Sequence, residues 1–91
     1  MLPVVWRPEA QVALNEFVSY ISERDPAAAR CFLSRVLESV EPLREHPHLG
    51  RVGRAGGTRE LVAHPNYLVI YRVLPEGVEI VDVVHARRRY P

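Results

Sequence analysis

Residues 67–74 read Tyr-Leu-Val-Ile-Tyr-Arg-Val-Leu, and this run constrains the fold more than any other part of the chain. In an extended strand successive side chains alternate between two faces. Tyr67, Val69, Tyr71 and Val73 then share one face, while Leu68, Ile70, Arg72 and Leu74 share the other. Neither face is polar throughout, so the strand belongs inside a sheet that is at least partly covered on both sides. Two further apolar runs flank it, Thr58 to His64 and Val78 to His85. The intervening His64-Pro65-Asn66 and Pro75-Glu76-Gly77 are turn sequences, which predicts a three-stranded antiparallel meander.

The layer that covers one face is supplied by the first half of the chain. Ala10, Ala13, Leu14, Phe17, Val18 and Ile21 recur at helical spacing, with Glu9, Glu16 and Glu23 off the stripe. Asp25-Pro26 then restarts the chain, an acidic N-cap followed by a proline suited to the first helical position. Ala29, Phe32, Leu33, Val36, Val40 and Leu43 repeat the period in a second helix. So short a connection makes the two helices antiparallel. Pro42 lacks an amide hydrogen and is expected to kink that helix or convert its end to a looser turn. Ahead of both helices, Leu2 to Trp6 reads as a short strand closed by Arg7-Pro8.

The chain of 91 residues, 47% hydrophobic, accommodates one domain with a modest core. The expected class is α+β: a strand over 1–7, a helical hairpin over 8–46, a loop over 47–57, and antiparallel strands with a basic tail over 58–91. Four of the five glycines, together with Arg51 and Arg54, fall between Leu49 and Thr58. That composition predicts a loop without regular structure.

Charge is distributed unevenly. Residues 1–48 hold five arginines against seven acids, residues 49–91 seven arginines against four, and the chain has no lysine. Guanidinium groups suit planar, bidentate contacts to phosphate or carboxylate, so the patch on the sheet half is compatible with nucleic acid or an acidic protein partner. The single cysteine, Cys31, excludes an internal disulfide and is expected as a buried packing residue. The sequence suggests no metal site and no cofactor motif. The N-terminus lacks the basic start and apolar stretch of a signal peptide, and no run is long enough to span a membrane, which makes the cytoplasm the expected location.

In order and spacing, the strand, helix hairpin, glycine-bearing loop and meander resemble the RelE/ParE superfamily of bacterial toxins. The match is carried by Asp25-Pro26-Ala27-Ala28, Arg59-Glu60-Leu61, the Tyr67-to-Val73 strand and Val83-Val84-His85-Ala86-Arg87. The first of these looks like the ParE branch. The resemblance implies the toxic half of a type II toxin-antitoxin pair. It also implies a cognate antitoxin that folds onto the toxin, and operator DNA met only through that antitoxin.

Two activities are known on this scaffold. ParE-like members poison DNA gyrase, and RelE-like members cut messenger RNA on the ribosome. Target contacts are expected from Arg51, Arg54, Arg59, Arg87, Arg88 and Arg89, and antitoxin contacts from Phe17, Ile21, Phe32, Val36, Leu68 and Ile70. An RNA-cleaving mechanism would draw on Arg59, Arg72, His85, Arg87 and Tyr90 to neutralise phosphate and move protons. Ribonuclease members commonly carry an arginine directly after the position matching Tyr67, where this chain has Leu68. That departure favours gyrase, with the ribonuclease as the alternative and a non-toxic antitoxin binder as a third reading. His85 is read as a strand-end cap, and Tyr67 and Tyr71 as packing residues.

Overall fold

The alternation in residues 67–74 is realised in a central strand, but the sheet around it has five strands rather than three. The computed structural model describes residues 1–87. The elements are β1 (Val4–Trp6), α1 (Pro8–Arg24), α2 (Pro26–Val40), β2 (Arg51–Val52), β3 (Arg59–His64), β4 (Tyr67–Leu74) and β5 (Gly77–His85). The sheet order is β1-β5-β4-β3-β2. β3, β4 and β5 form the expected antiparallel meander, and β1 joins its far edge parallel to β5, with Val4 opposite Val78.

One residue separates the helices. Asp25 is extended, its amide closing α1 on Ile21 and its Oδ1 accepting the Ala28 amide at 3.1 Å as the N-cap of α2. α2 tightens into a 3-10 turn over Glu41–Arg44, where Pro42 cannot continue the α-helical ladder. Both helices lie on one face of the sheet. Ala10, Leu14, Phe32, Val36, Val40 and Leu43 meet Val69, Tyr71, Val78 and Ile80 there in one core.

Three expectations need correction. Residues 47–57 are not wholly irregular, because Arg51 and Val52 pair with Glu60 and Arg59 as β2 between Gly50 and Gly53. The hairpin is closed by Gly53 N–H on the Thr58 carbonyl at 2.8 Å and by the Arg51–Glu60 ion pair. The sheet face away from the helices, expected to offer Leu68 and Ile70 to an antitoxin, is not an open apolar surface either. Leu68, Ile70 and Val84 are buried there in a second small cluster, with Val81 and Ala86 against it. Finally, Cys31 is exposed. It precedes Phe32 by one residue, about 100° around the helix from that core position. Among the described residues no helix is long and apolar enough to cross a membrane.

Candidate functional site

The loop ahead of β2 is strapped to the sheet by one buried tyrosine and one arginine. β3 and β4 pair with Arg59 opposite Tyr71, so the two side chains rise from the same face. Pro47, His48, Leu49 and Gly50 pass over them. The Tyr71 hydroxyl donates to the Pro47 carbonyl at 2.7 Å and accepts the Gly50 amide at 2.8 Å. Arg59 Nη1 donates to the Gly50 carbonyl at 2.7 Å and, more loosely, to the His48 carbonyl at 3.4 Å. Glycine is required at position 50 because a Cβ would lie 2.6 Å from the Glu60 carbonyl oxygen and 2.8 Å from the Tyr71 ring. Burial pushes the Tyr71 phenol above its ordinary pKa, against the opposing pull of the Gly50 amide and Arg59. The hydroxyl therefore keeps the proton it donates to Pro47.

On the opposite face Glu60 is only 4% exposed, and its carboxylate accepts from Arg51 Nε at 2.7 Å. A buried carboxylate needs such a partner. Beside the strap, His48, Val52, Gly57, Thr58, Arg59 and Val73 line a cleft of about 270 Å³. Its rim is glycine-rich. Gly57 has φ +76°, a left-handed conformation, and neither Gly56 nor Gly57 has a neighbour against its Cα. Backbone at that rim is open to close approach.

A second cluster lies at the other end of β4. Tyr67 is surrounded by Phe32 at 4.7 Å, Phe17 at 4.9 Å, His85 at 5.1 Å and His64 at 5.6 Å between ring centroids. Each histidine accepts a backbone amide at Nδ1, His64 from Asn66 at 3.3 Å and His85 from Arg87 at 3.2 Å. That bond places the ring proton on Nε2. Burial, with Arg35 adding to it, lowers the His64 pKa. For His64, protonation at Nδ1 would oppose the amide it now accepts.

The predicted site residues are therefore divided. Arg51, Arg54 and Arg59 gather around the loop and β2–β3 hairpin. Arg72 is exposed on the face away from the helices, across from Glu79. Arg87 follows His85, which pairs with Tyr67, four strand positions from the Arg59–Tyr71 pair. Four positions span about 13 Å, so the backbone at Arg87 is set apart from the arginine-bearing loop. Arg88, Arg89 and Tyr90 lie outside the described residues. Among the expected antitoxin contacts, Phe17 and Ile21 are half-buried at the core margin, whereas Phe32, Val36, Leu68 and Ile70 are all buried in the chain itself. Phe32 and Val36 fill the interface between helices and sheet, and Leu68 and Ile70 pack with Val84 on the other sheet face. Sequence reasoning took Tyr71 for packing alone and missed the strap. The available signal was its hydroxyl, since a tyrosine on a core face must find a polar partner.

Comparisons with known proteins agree with this architecture. Residues 4–90 match a family described as the ParE toxin of type II toxin-antitoxin system, parDE. The chain is 40% identical over 87 residues to the putative toxin Y4kP of Sinorhizobium fredii (strain NBRC 101917 / NGR234), covering 94% of this chain and 90% of that one. It is 36% identical over 88 residues to toxin RelE2 of Caulobacter vibrioides (strain ATCC 19089 / CIP 103742 / CB 15), covering 97% and 99%. Among solved structures, the chromosomal ParDE system from P. aeruginosa superposes with a TM-score of 0.83 at 20% identity, covering 93% of this chain and 96% of that one. At that identity the likeness is one of fold.

Proposed function

We propose that this chain, which belongs to the ParE toxin family of type II toxin-antitoxin systems, arrests growth by binding DNA gyrase and is neutralised by a cognate antitoxin. The observation that carries the choice of target is Leu68, buried with Ile70 and Val84 at the position where ribonuclease relatives place an arginine. A leucine in that cluster cannot neutralise a phosphate, and electrostatic stabilisation is usually the largest catalytic term in such chemistry.

Two of the other candidate groups, and Arg51 of the loop, are engaged inside the protein. Arg59 holds the Gly50 carbonyl, Arg51 holds Glu60, and His85 accepts the Arg87 amide at Nδ1. A surface that binds a protein target tolerates such internal bonding, because the bonds shape the loop rather than the transition state. The reading predicts that purified chain traps cleaved plasmid in the presence of gyrase. It also predicts intact messenger RNA when the chain is added to translating ribosomes. Ribosome-dependent cutting without gyrase trapping would reverse the choice of target, and neither activity would leave an antitoxin binder without a toxic function.

A further inference from the structure

Among the described residues three arginines are half-buried, Arg7, Arg44 and Arg59. A guanidinium withdrawn from water needs an opposing charge. Arg7 has Glu9 at 2.9 Å, and Arg44 has Glu41 at 3.2 Å. Arg59 has no carboxylate at ion-pair distance among the described residues. Its partners are the Gly50 and His48 carbonyls, and both bonds leave from Nη1. They anchor the guanidinium and leave its Nε–Nη2 edge without a hydrogen bond among the described residues. The two N–H groups of that edge run parallel, a fork that matches two oxygens of one oxyanion.

Arg59 lines the cleft of about 270 Å³ beside the strap, whose wall is assembled from the loop and from β2, β3 and β4. Val52, opposite Arg59 in the β2–β3 register, and Val73 make part of that wall apolar, which strengthens charge interactions within it. The rim is a built turn. Thr58, 5% exposed, donates both its amide and its hydroxyl to the Ala55 carbonyl, at 3.2 and 2.6 Å. That bond puts Gly57, at φ +76°, in the third position of a tight turn, where a type II turn needs glycine. Neither the Gly56 nor the Gly57 amide donates to a backbone carbonyl among the described residues. Exposed N–H groups of such a turn are a recurrent anion-binding device.

We propose that this cleft is a phosphate-binding site. Two phosphate oxygens accept from Arg59 Nε and Nη2, and a third accepts from the Gly56-Gly57 rim. A carboxylate would be satisfied by the arginine fork alone and has no third oxygen, so the second set of donors selects the tetrahedral group. Val52 and Val73 are left for the organic part of a phosphate ester. Such a group can arrive on a small compound in solution or on the backbone of a nucleic-acid strand. Because Nη1 of the same guanidinium holds Gly50, an occupied cleft also steadies the loop over residues 47–50. The assignment stands on the cleft alone and holds whichever target the chain arrests.

The test uses the full chain labelled with nitrogen-15. Titration with inorganic phosphate at constant ionic strength should shift the Arg59 Nε and Gly57 amide resonances along one saturating curve, and acetate at the same ionic strength should leave both in place. Gly57→Asp and Gly57→Asn form a matched pair, since both side chains tolerate left-handed backbone and a Cβ there meets nothing within 4 Å. Both variants should keep the dispersed spectrum of the folded chain. Aspartate sets a carboxylate at the rim and should weaken phosphate binding by roughly tenfold or more, whereas asparagine should retain it. A short oligothymidylate separates the two sources. Saturation by the oligonucleotide at lower concentration than phosphate assigns the site to a nucleic-acid backbone, saturation by phosphate first assigns it to a small compound, and both support it. The proposal is overturned if neither ligand moves the two resonances, if acetate moves them as far as phosphate, or if Gly57→Asp binds as the wild type does.

Discussion

Replacing Tyr71 by phenylalanine removes one oxygen from a fully buried position and leaves the ring in place. That oxygen has two partners, the Pro47 carbonyl at 2.7 Å and the Gly50 amide at 2.8 Å. They do not lose equally. Gly50 is buried, so its amide is left without an acceptor, whereas Pro47 is half-buried and its carbonyl can turn to water. An unsatisfied buried amide costs about 1–3 kcal/mol and a lost neutral hydrogen bond about 1 kcal/mol, so a destabilisation of about 2 kcal/mol is expected. For a domain of this size that lowers Tm by roughly 8–16 °C.

The loosening is local, because Arg59 still holds the Gly50 carbonyl. Amide hydrogen exchange should therefore accelerate at Gly50 before it accelerates in β4, and growth inhibition should fall while the chain remains folded at the assay temperature. A Tyr71→Phe protein melting within about 2 °C of wild type, where such a domain should shift several times further, with unchanged exchange at Gly50, would refute the strap.

Two further outcomes follow from the same contacts. Gly50→Ala forces a Cβ to within 2.6 Å of the Glu60 carbonyl oxygen, so it should destabilise by about 2 kcal/mol or more and displace the loop. Thermal melting, with exchange along residues 47–50, checks this. The pH profile tests His64, whose pKa is lowered by burial from the ordinary value of 6.5. The unfolded chain binds the proton more readily, so this contribution is fully present above 6.5 and is lost as pH falls toward the folded pKa. Tm measured against pH should show that loss, and His64→Gln should reduce the acid-limb slope.

How much of this was legible in the sequence depends on the distance over which each signal acts. The α1 and α2 stripes, the Asp25-Pro26 break and the inward face of Tyr67 to Val73 depend on local periodicity, and each appears where its spacing put it. β1 lies in sequence beside α1, yet its partner is β5, more than 70 residues away, and no local pattern encodes that parallel pairing. β2 was hidden for a different reason. Its two residues sit among glycines, and its stability comes from Glu60 across the hairpin rather than from any propensity of Arg51 or Val52. Helical phase likewise placed Phe32 and Val36 in the core, but their assignment to a partner surface needed the sheet that covers them.

The seven arginines counted in the second half do not translate into seven outward charges. Arg59 is turned onto carbonyls and Arg51 onto Glu60, while Arg72 is exposed on the other face of the sheet. Arg51 allows the internal and external roles to be separated, because its side chain is 63% exposed while Glu60 is almost wholly buried. Arg51→Ala leaves that carboxylate buried without its partner. The exposed arginine is screened by water, which cuts the loss well below that of a fully buried pair, to about 1–2 kcal/mol. Adding Glu60→Gln removes the stranded charge, so the double variant should regain most of the lost stability, a coupling read from the four-protein cycle. If Arg51 acts only through β2, growth inhibition should return with stability in the double variant. Full stability with growth inhibition still lost would mean that the guanidinium itself meets the target, and the internal role would account for its position but not its purpose.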